Sequence, residues 1–296
     1  MWAGTCEHGS IIVRFADGIK ELFVRLESFS AVDRPPTMLS ISFFVILLSS
    51  AALAQHYDPF NRQPYHPKRR PHQPTTKPSP TAGKARVTII DQGLIVSKQN
   101  GNGKDFEFVA TVALIEDSGK KIIFDTATAT DNDSKQRMIN GLKRLGIETG
   151  AINYVILSHA HLDHTGHANA FQNAKIYFGS HEFSGHSLKY IGTYEFGEYN
   201  VTSHVKIVPT PGHTSSCISA LVSNAQQNNI DMGTIAITGD LFFKVEDLTD
   251  ASIWQGSATN ITQQATSRAS IMCDADYIIP GHGPLFKVPT TAKTSC

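Results

Sequence analysis

His159-Ala160-His161-Leu162-Asp163-His164 sets three imidazoles and a carboxylate within six residues, a density for which packing gives no reason. Imidazole and carboxylate suit borderline divalent metals. Four such groups in so short a stretch are more than one ion collects from one side, so the stretch reads as part of a two-ion site. Just before it runs Asn153-Tyr154-Val155-Ile156-Leu157-Ser158, an apolar, β-branched run of the length of a buried strand. The cluster therefore sits on the loop leaving a strand end.

Three downstream places share that local design. The apolar runs 205–208, 234–237 and 277–279 lead into Pro209-Thr210-Pro211-Gly212-His213-Thr214, Thr238-Gly239-Asp240 and Pro280-Gly281-His282-Gly283 respectively. In each, a Gly or Pro-Gly turn precedes a metal-ligating residue type. Glycine permits backbone angles closed to other residues, so the chain can turn sharply and aim the next side chain over the strand ends. Taken singly, each is an ordinary turn with a solvated polar residue; in this order after the opening cluster, they point to a shared site.

The order H-x-H-x-D-H, Gly-His, Gly-Asp, Gly-His over roughly residues 85–290 resembles the metallo-β-lactamase fold superfamily. Carried onto the matching positions, the resemblance implies that His159, His161 and His213 hold one metal, that Asp163, His164 and His282 hold a second, and that Asp240 bridges them. It further implies two zinc ions, with manganese or iron as alternatives, a water or hydroxide between them as nucleophile, and Asp163 and Asp240 as the carboxylates that serve catalysis. Asp125, in Ile122-Ile123-Phe124-Asp125-Thr126, matches the family's strand-end Asp that orients the metal loop; a helix cap or turn Asp is the alternative. Gly239-Asp240-Leu241-Phe242, Ser252-Ile253-Trp254-Gln255, an Arg268-containing helix and the stretch from Asp276 to Pro284 are similar to metallo-β-lactamase domain-containing protein 1, a small subfamily described as a metal-dependent endoribonuclease.

The chain of 296 residues carries 26 basic and 26 acidic side chains, yet its first third does not read as globular, so one core is expected. Residues 39–54 form an apolar block ending in Ala52-Leu53-Ala54, the small-x-small pattern of a signal-peptidase site. Met38 directly before it reads as a translation start, with residues 1–37 an alternative extension or a gene-model addition. The expectation is a signal peptide at 38–54 and a secreted protein. A signal anchor is the alternative, although the block is shorter than the roughly 20 apolar residues of a span. Three N-x-S/T triplets, at Asn132, Asn200 and Asn260, fit glycosylation in the secretory pathway. Pairing among Cys217, Cys273 and Cys296 is open, and Cys217 reads equally as a buried apolar residue. Residues 55–84 are rich in Pro, His and basic side chains and read as an extended linker. Residues 55–86 carry 7 Lys and Arg against 1 Asp, a net of +6, whereas residues 87–296 carry 15 against 20 acidic residues, a net of −5.

Strands are expected at 85–97, 108–116 and 121–125, the last two joined by a turn at Asp117-Ser118-Gly119. An amphipathic helix is expected at 134–145, with Met138, Ile139, Leu142 and Leu145 on its apolar side and Gly146 ending it. Further helices are expected at 166–172 and 260–273. The fold class the resemblance implies is an α/β sandwich of αββα type, two mixed β-sheets with helices on the outer faces, over residues 85–290 with a tail at 291–296. Only 14 residues follow His282 and 41 separate it from Asp240, leaving no room for the accessory domains of thioesterase or large nucleic-acid-cleaving members. Hydrolysis is the expected reaction class. The expected substrate is single-stranded RNA, with a small ester, thioester or lactam as the alternative, and a non-catalytic metal-dependent binding protein as a third reading.

Overall fold

The computed structural model describes residues 4–7, 10–14, 21–25, 83–100, 103–294 and 296, with backbone alone in the first three stretches and at 97–100 and 103–104. Two units are distinguished, Met1–Pro64 and Tyr65–Cys296. In the first, β1 (Gly4–Glu7), β2 (Ser10–Arg14) and β3 (Glu21–Arg25) pair as an antiparallel meander, where no element was expected. The apolar block 39–54 and the basic stretch as far as residue 82 lie outside the described residues. No described helix is long and apolar enough to cross a membrane.

The second unit begins with β4 (Ala85–Asp91), β5 (Leu94–Asn100), β6 (Gly103–Val109), β7 (Val112–Asp117) and β8 (Lys120–Phe124). Then follow α1 (Asn132–Arg144), β9 (Tyr154–Leu157), α2 (Leu162–Thr165), β10 (Lys175–Phe178), β11 (His181–Ser184), β12 (Ser187–Tyr190) and α3 (Thr193–Phe196). The remainder is β13 (Tyr199–Asn200), β14 (Val205–Pro209), β15 (Ile218–Gln227), β16 (Ile230–Ile237), α4 (Ser252–Gln255), α5 (Ile261–Asp274), β17 (Tyr277–Ile279) and β18 (Phe286–Lys287).

Strands β12-β11-β10-β9-β8-β7-β4 form one half of the sandwich, and β15-β16-β17-β18 with β14 on the edge of β15 form the other. A short parallel ladder, Ala225 to Ala85 and Gln226 to Arg86, joins them. It lies beyond a bulge in β15 between Val222 and Ala225, where Asn224 takes a positive φ of 49°. The one extra residue bends β15, so its first part pairs with β14 and its last part with β4. Side chains alternate across each half with period two. Ala113, Ile115, Ile122 and Phe124 meet Ile207, Ala220, Val222 and Ile235 in the central core. Val112, Leu114 and Ile123 face outward onto Met138 and Leu142 of α1. Leu221, Ala236 and Ile278 face outward onto Ile271 of α5. The architecture is the αββα sandwich.

The β7–β8 turn sits where expected, with Ser118 and Gly119 both at positive φ, 53° and 73°, as a two-residue hairpin turn requires. Helix α1 starts two residues earlier than expected because the Asp131 side chain caps the Asp133 N–H. Its C-cap Leu145 is exposed rather than on the apolar face, and Gly146 at φ 70° ends the helix. Helix α5 is capped by Asn260, close to the expected range.

Three expectations are corrected. The strands at 85–97 and 108–116 each break in two, because the chain leaves the sheet at Gly93 and re-enters at Thr111. The Gly93 N–H donates to Thr111 Oγ1 (3.1 Å) and the Thr111 N–H to Gly281 O (2.7 Å). Between these points β5 and β6 pair only with each other as a projecting ribbon. The helix at 166–172 is also absent. Gly166 and His167 N–H groups donate to the carbonyls of Ala127 and Thr126 instead of to an α-helical ladder, leaving one 3₁₀ turn at Ala168–Ala170.

A Cys273–Cys296 disulfide ties the chain end to the last turn of α5, and Cys217 is buried and free. Gly166 packs directly on the Ala129 backbone, where a Cβ would collide. Gly166→Ala is therefore expected to cost about 1–3 kcal/mol as an overpacking change, read as a lowered urea midpoint; an unchanged midpoint would refute the close approach.

Candidate metal centre

Strand direction gathers the site. Strands β8 and β9 run parallel, as do β16 and β17, and β14 runs the same way as β16 because both are antiparallel to β15. The segments leaving β8, β9, β14, β16 and β17 carry Asp125, the His159–His164 cluster, His213, Asp240 and His282. Every ligand-type residue expected from the sequence is present in the cluster.

Two donor groups form, His159, His161, His213 and Asp240 in one, and Asp163, His164, His282 and Asp240 in the other, with the donor atoms of each group within 4.8 Å of one another. Asp240 belongs to both. Its Oδ2 faces His213 Nε2 (3.4 Å) and His159 Nε2 (3.9 Å), while its Oδ1 faces His164 Nε2 (3.0 Å) and His282 Nε2 (3.1 Å). In the first group, His161 Nδ1 lies 2.8 Å from His159 Nε2 and 3.1 Å from His213 Nε2. In the second, Asp163 Oδ2 lies 3.3 Å from His164 Nε2 and 3.5 Å from His282 Nε2. His161 is exposed and the rest are buried.

The opposite ring atoms are engaged elsewhere. His164 Nδ1 contacts Asp125 Oδ2 (2.7 Å), His282 Nδ1 contacts Val109 O (2.9 Å) and His159 Nδ1 contacts Ser158 Oγ (2.9 Å). A carboxylate or carbonyl accepting from Nδ1 fixes the tautomer that leaves the Nε2 lone pair free for a cation. Asp125 also accepts from Ser158 N–H (2.7 Å) and Ser158 Oγ (2.8 Å). Its backbone sits at φ 58°, and that of Ala127 at 64°, conformations that cost non-glycine residues free energy.

Burial, reinforced by the neighbouring His164, depresses the His159 pKa well below its ordinary value. Burial brings His213 down to about 4, against the pull of Asp240. Both are thus neutral near pH 7, the form that binds metal. Burial also acts against charge on His164 and Asp240, but opposite charges outweigh it. Asp240 and Asp125 hold His164 well above the ordinary imidazole range, and His282 and His164 hold Asp240 well below the carboxylate range. His164 Nε2, His213 Nδ1 and Asp240 Oδ1 are buried without a hydrogen-bond partner. Such atoms cost about 1–3 kcal/mol each, and coordination would satisfy His164 Nε2 and Asp240 Oδ1. The donor set fits a divalent cation.

Aromatic side chains rim the donors. Phe243 stacks on His282 (5.5 Å between centroids) and meets His213 edge-on (5.6 Å), and Phe108 meets His282 edge-on at 5.8 Å. Phe108, Phe243 and Ser158 were missed as site residues. Only Ser158, adjacent to the cluster, carried a local signal.

A sandwich with this donor arrangement at one edge has the layout of a two-ion metal centre, and the chain belongs to the metallo-β-lactamase superfamily. The model of that superfamily matches residues 106–177. Metallo-β-lactamase domain-containing protein 1 of Xenopus laevis is 33% identical over 196 residues, covering 63% of this chain and 76% of that one; the Rattus norvegicus protein of the same name is 30% identical, covering 63% and 70%. An uncharacterised Caenorhabditis elegans protein is 37% identical over 185 residues, and the match spans 50% of its length. Among solved structures, a quorum-quenching N-acyl homoserine lactone lactonase shares the fold, with a TM-score of 0.50 at 20% identity over 73% of this chain and 96% of that one.

Zinc is expected to raise the melting midpoint of chelator-treated protein. Asp240→Asn is expected to remove most of that rise, and Asp231→Asn, at an exposed carboxylate paired with Lys84, none. Equal rises in all three proteins would place the metal elsewhere.

Proposed function

We propose that this chain is a di-zinc hydrolase that cleaves a carboxylic ester or lactone with an apolar acyl part. The observation that carries the two-ion reading is Asp240, each of whose oxygens faces a different donor group. Zinc held by His159, His161, His213 and Asp240 and by Asp163, His164, His282 and Asp240 would supply an acidified water, its pKa lowered from about 16 toward 7, and so would allow hydrolysis near neutral pH. The protein side chains hold, orient and exclude. Asp163 is kept below the usual carboxylate range, chiefly because His164 outweighs its burial, so it is ionised near pH 7 and would ligate a cation without first losing a proton. Cys217 is no nucleophile, since burial pushes its thiol up to about 11.

The β5–β6 ribbon supports the apolar substrate. Phe108 and Phe106 lie two residues apart on β6, opposite Ile95 and Ser97, so they share one face. That face includes the Phe108 ring against His282, and Phe106 and Phe108 are 51% and 46% exposed. A polyanion fits a net charge of −5 over residues 87–296 poorly. The basic stretch at 55–86 favours a second reading, an endoribonuclease acting on single-stranded RNA.

Zinc-loaded protein is expected to hold close to two ions and to hydrolyse acyl esters or lactones with kcat/KM rising with chain length. Phe106→Ser and Phe108→Ser should each lower kcat/KM about 10-fold for long acyl chains only, the loss of one apolar contact. Metal-dependent RNA cleavage leaving a 5′ phosphate, without ester turnover, would replace this reading with the second.

We further propose that the chain matures in the secretory pathway. The Ala52-Leu53-Ala54 site, the exposed Asn132, Asn200 and Asn260 and the Cys273–Cys296 disulfide support this, because disulfides persist in oxidising compartments. Expressed in eukaryotic cells, the protein should reach the medium with an N-terminus near Gln55 and shrink on glycosidase treatment. Unglycosylated cytosolic protein with free Cys273 and Cys296 would overturn it.

A further inference from the structure

Three of the four buried residues of α5 are polar, where an apolar stripe is the norm. Gln264 is fully buried, and Ser267 and Arg268 are 8% and 5% exposed. All three donate to backbone carbonyls of the two loops that carry His213 and Asp240. Gln264 Nε2 donates to Asp240 O (3.1 Å) and Leu241 O (3.3 Å), and Arg268 Nη1 donates to Leu241 O (2.7 Å). Arg268 Nη2 reaches Asp247 O (3.0 Å) and Asp247 Oδ1 (2.9 Å), while Asp247 Oδ2 accepts the Phe243 N–H at 2.7 Å. On the other loop, Ser267 Oγ donates to Pro211 O (2.7 Å) and Thr259 Oγ1 to His213 O (2.6 Å). Gly212 packs on the Gln264 backbone so closely that a Cβ would collide.

The loop from Gly239 to Leu248 holds only two short 3₁₀ turns, so regular secondary structure does not fix Asp240. Arg268 is itself immobilised, with its guanidinium 4.0 Å from the Phe242 ring centroid and 4.8 Å from that of Trp254. The planar fork matches two carbonyls and a carboxylate at once, which a lysine cannot do. A buried charge is a poor source of net stability beside an apolar residue of similar volume, so burial economy alone does not account for Arg268.

We infer that Gln264 and Arg268 are positioning residues that hold the shared carboxylate Asp240 between the two donor groups and set Phe243 beside His282. Neither contacts a donor atom. They act through the backbone of Asp240 and Leu241 and through Asp247. The inference rests on the reading of Asp240 as a shared metal ligand.

The test compares wild type, Gln264→Met, Arg268→Lys and, as a control, Met138→Ala, which cuts a cavity beneath α1 in the opposite outer layer. Zinc affinity is measured by chelator competition on the full chain, and the absorption spectrum of the cobalt-substituted protein reports ligand geometry. Melting of the metal-free proteins reports stability. Gln264→Met and Arg268→Lys should each lower zinc affinity about 10–100-fold, the range for partners that orient ligands, and change the cobalt spectrum. Met138→Ala should melt earlier yet keep wild-type affinity and spectrum. Wild-type affinity and spectra in both α5 variants would overturn the assignment, as would affinity that merely follows melting midpoint across all variants. Absence of zinc and cobalt binding by wild type would instead overturn the metal reading, and this inference with it.

Discussion

A single carboxylate sits where two clusters of imidazole meet, and much of the domain is arranged around keeping it there. Asp240 is nearly sealed from water, at 4% exposure, and an isolated carboxylate in such surroundings would take up a proton. His164 and His282 hold it ionised. Those rings are in turn oriented by Asp125 and by the Val109 carbonyl. The chain of dependence runs outward from one side chain to the ends of five strands, and it explains why polar groups are concentrated at one edge of an otherwise apolar sandwich.

The clustered donor-type residues were legible because each lies in a short segment with its own local logic. A strand ends, a glycine or proline turns the chain, and a His or Asp follows, so His159, His161, Asp163, His164, His213, Asp240 and His282 could be named without a structure. The central strands and α1 were legible for a similar reason, their side-chain periodicity being local. What escaped has the opposite character. The exit of the β5–β6 ribbon depends on Gly93 and Thr111 meeting Gly281, far off in the sequence. The apolar residues of that ribbon alternate as in any strand, so periodicity extended β4 and β7 through the breaks.

The same distinction accounts for the helix misplaced at 166–172. Ala168 and Ala170 favour helix, but backbone donors of Gly166 and His167 are captured by carbonyls of the 126–129 segment, a tertiary competition that propensity does not register. The polar face of α5 escaped for a related reason. Gln264, Ser267 and Arg268 look like solvent-facing residues in sequence, and only the approach of two ligand loops shows that their partners are buried carbonyls. Pairing of Cys273 with Cys296 likewise depends on where the tail returns.

The ladder between β4 and β15 has a bearing on how the domain comes into being. Ala85 and Ala225 are neighbours in the sheet but are separated by most of the domain's length. During synthesis β4 emerges early and pairs with β7 soon afterwards, while its contact with β15 must wait until the chain has passed residue 227, after α1 and the strands of the first half but before α5. Closing so long a loop is entropically costly before its contacts reward it. The union of the halves thus follows pairing within the first half, and until β15 arrives the free side of β4 offers an open sheet edge to other chains.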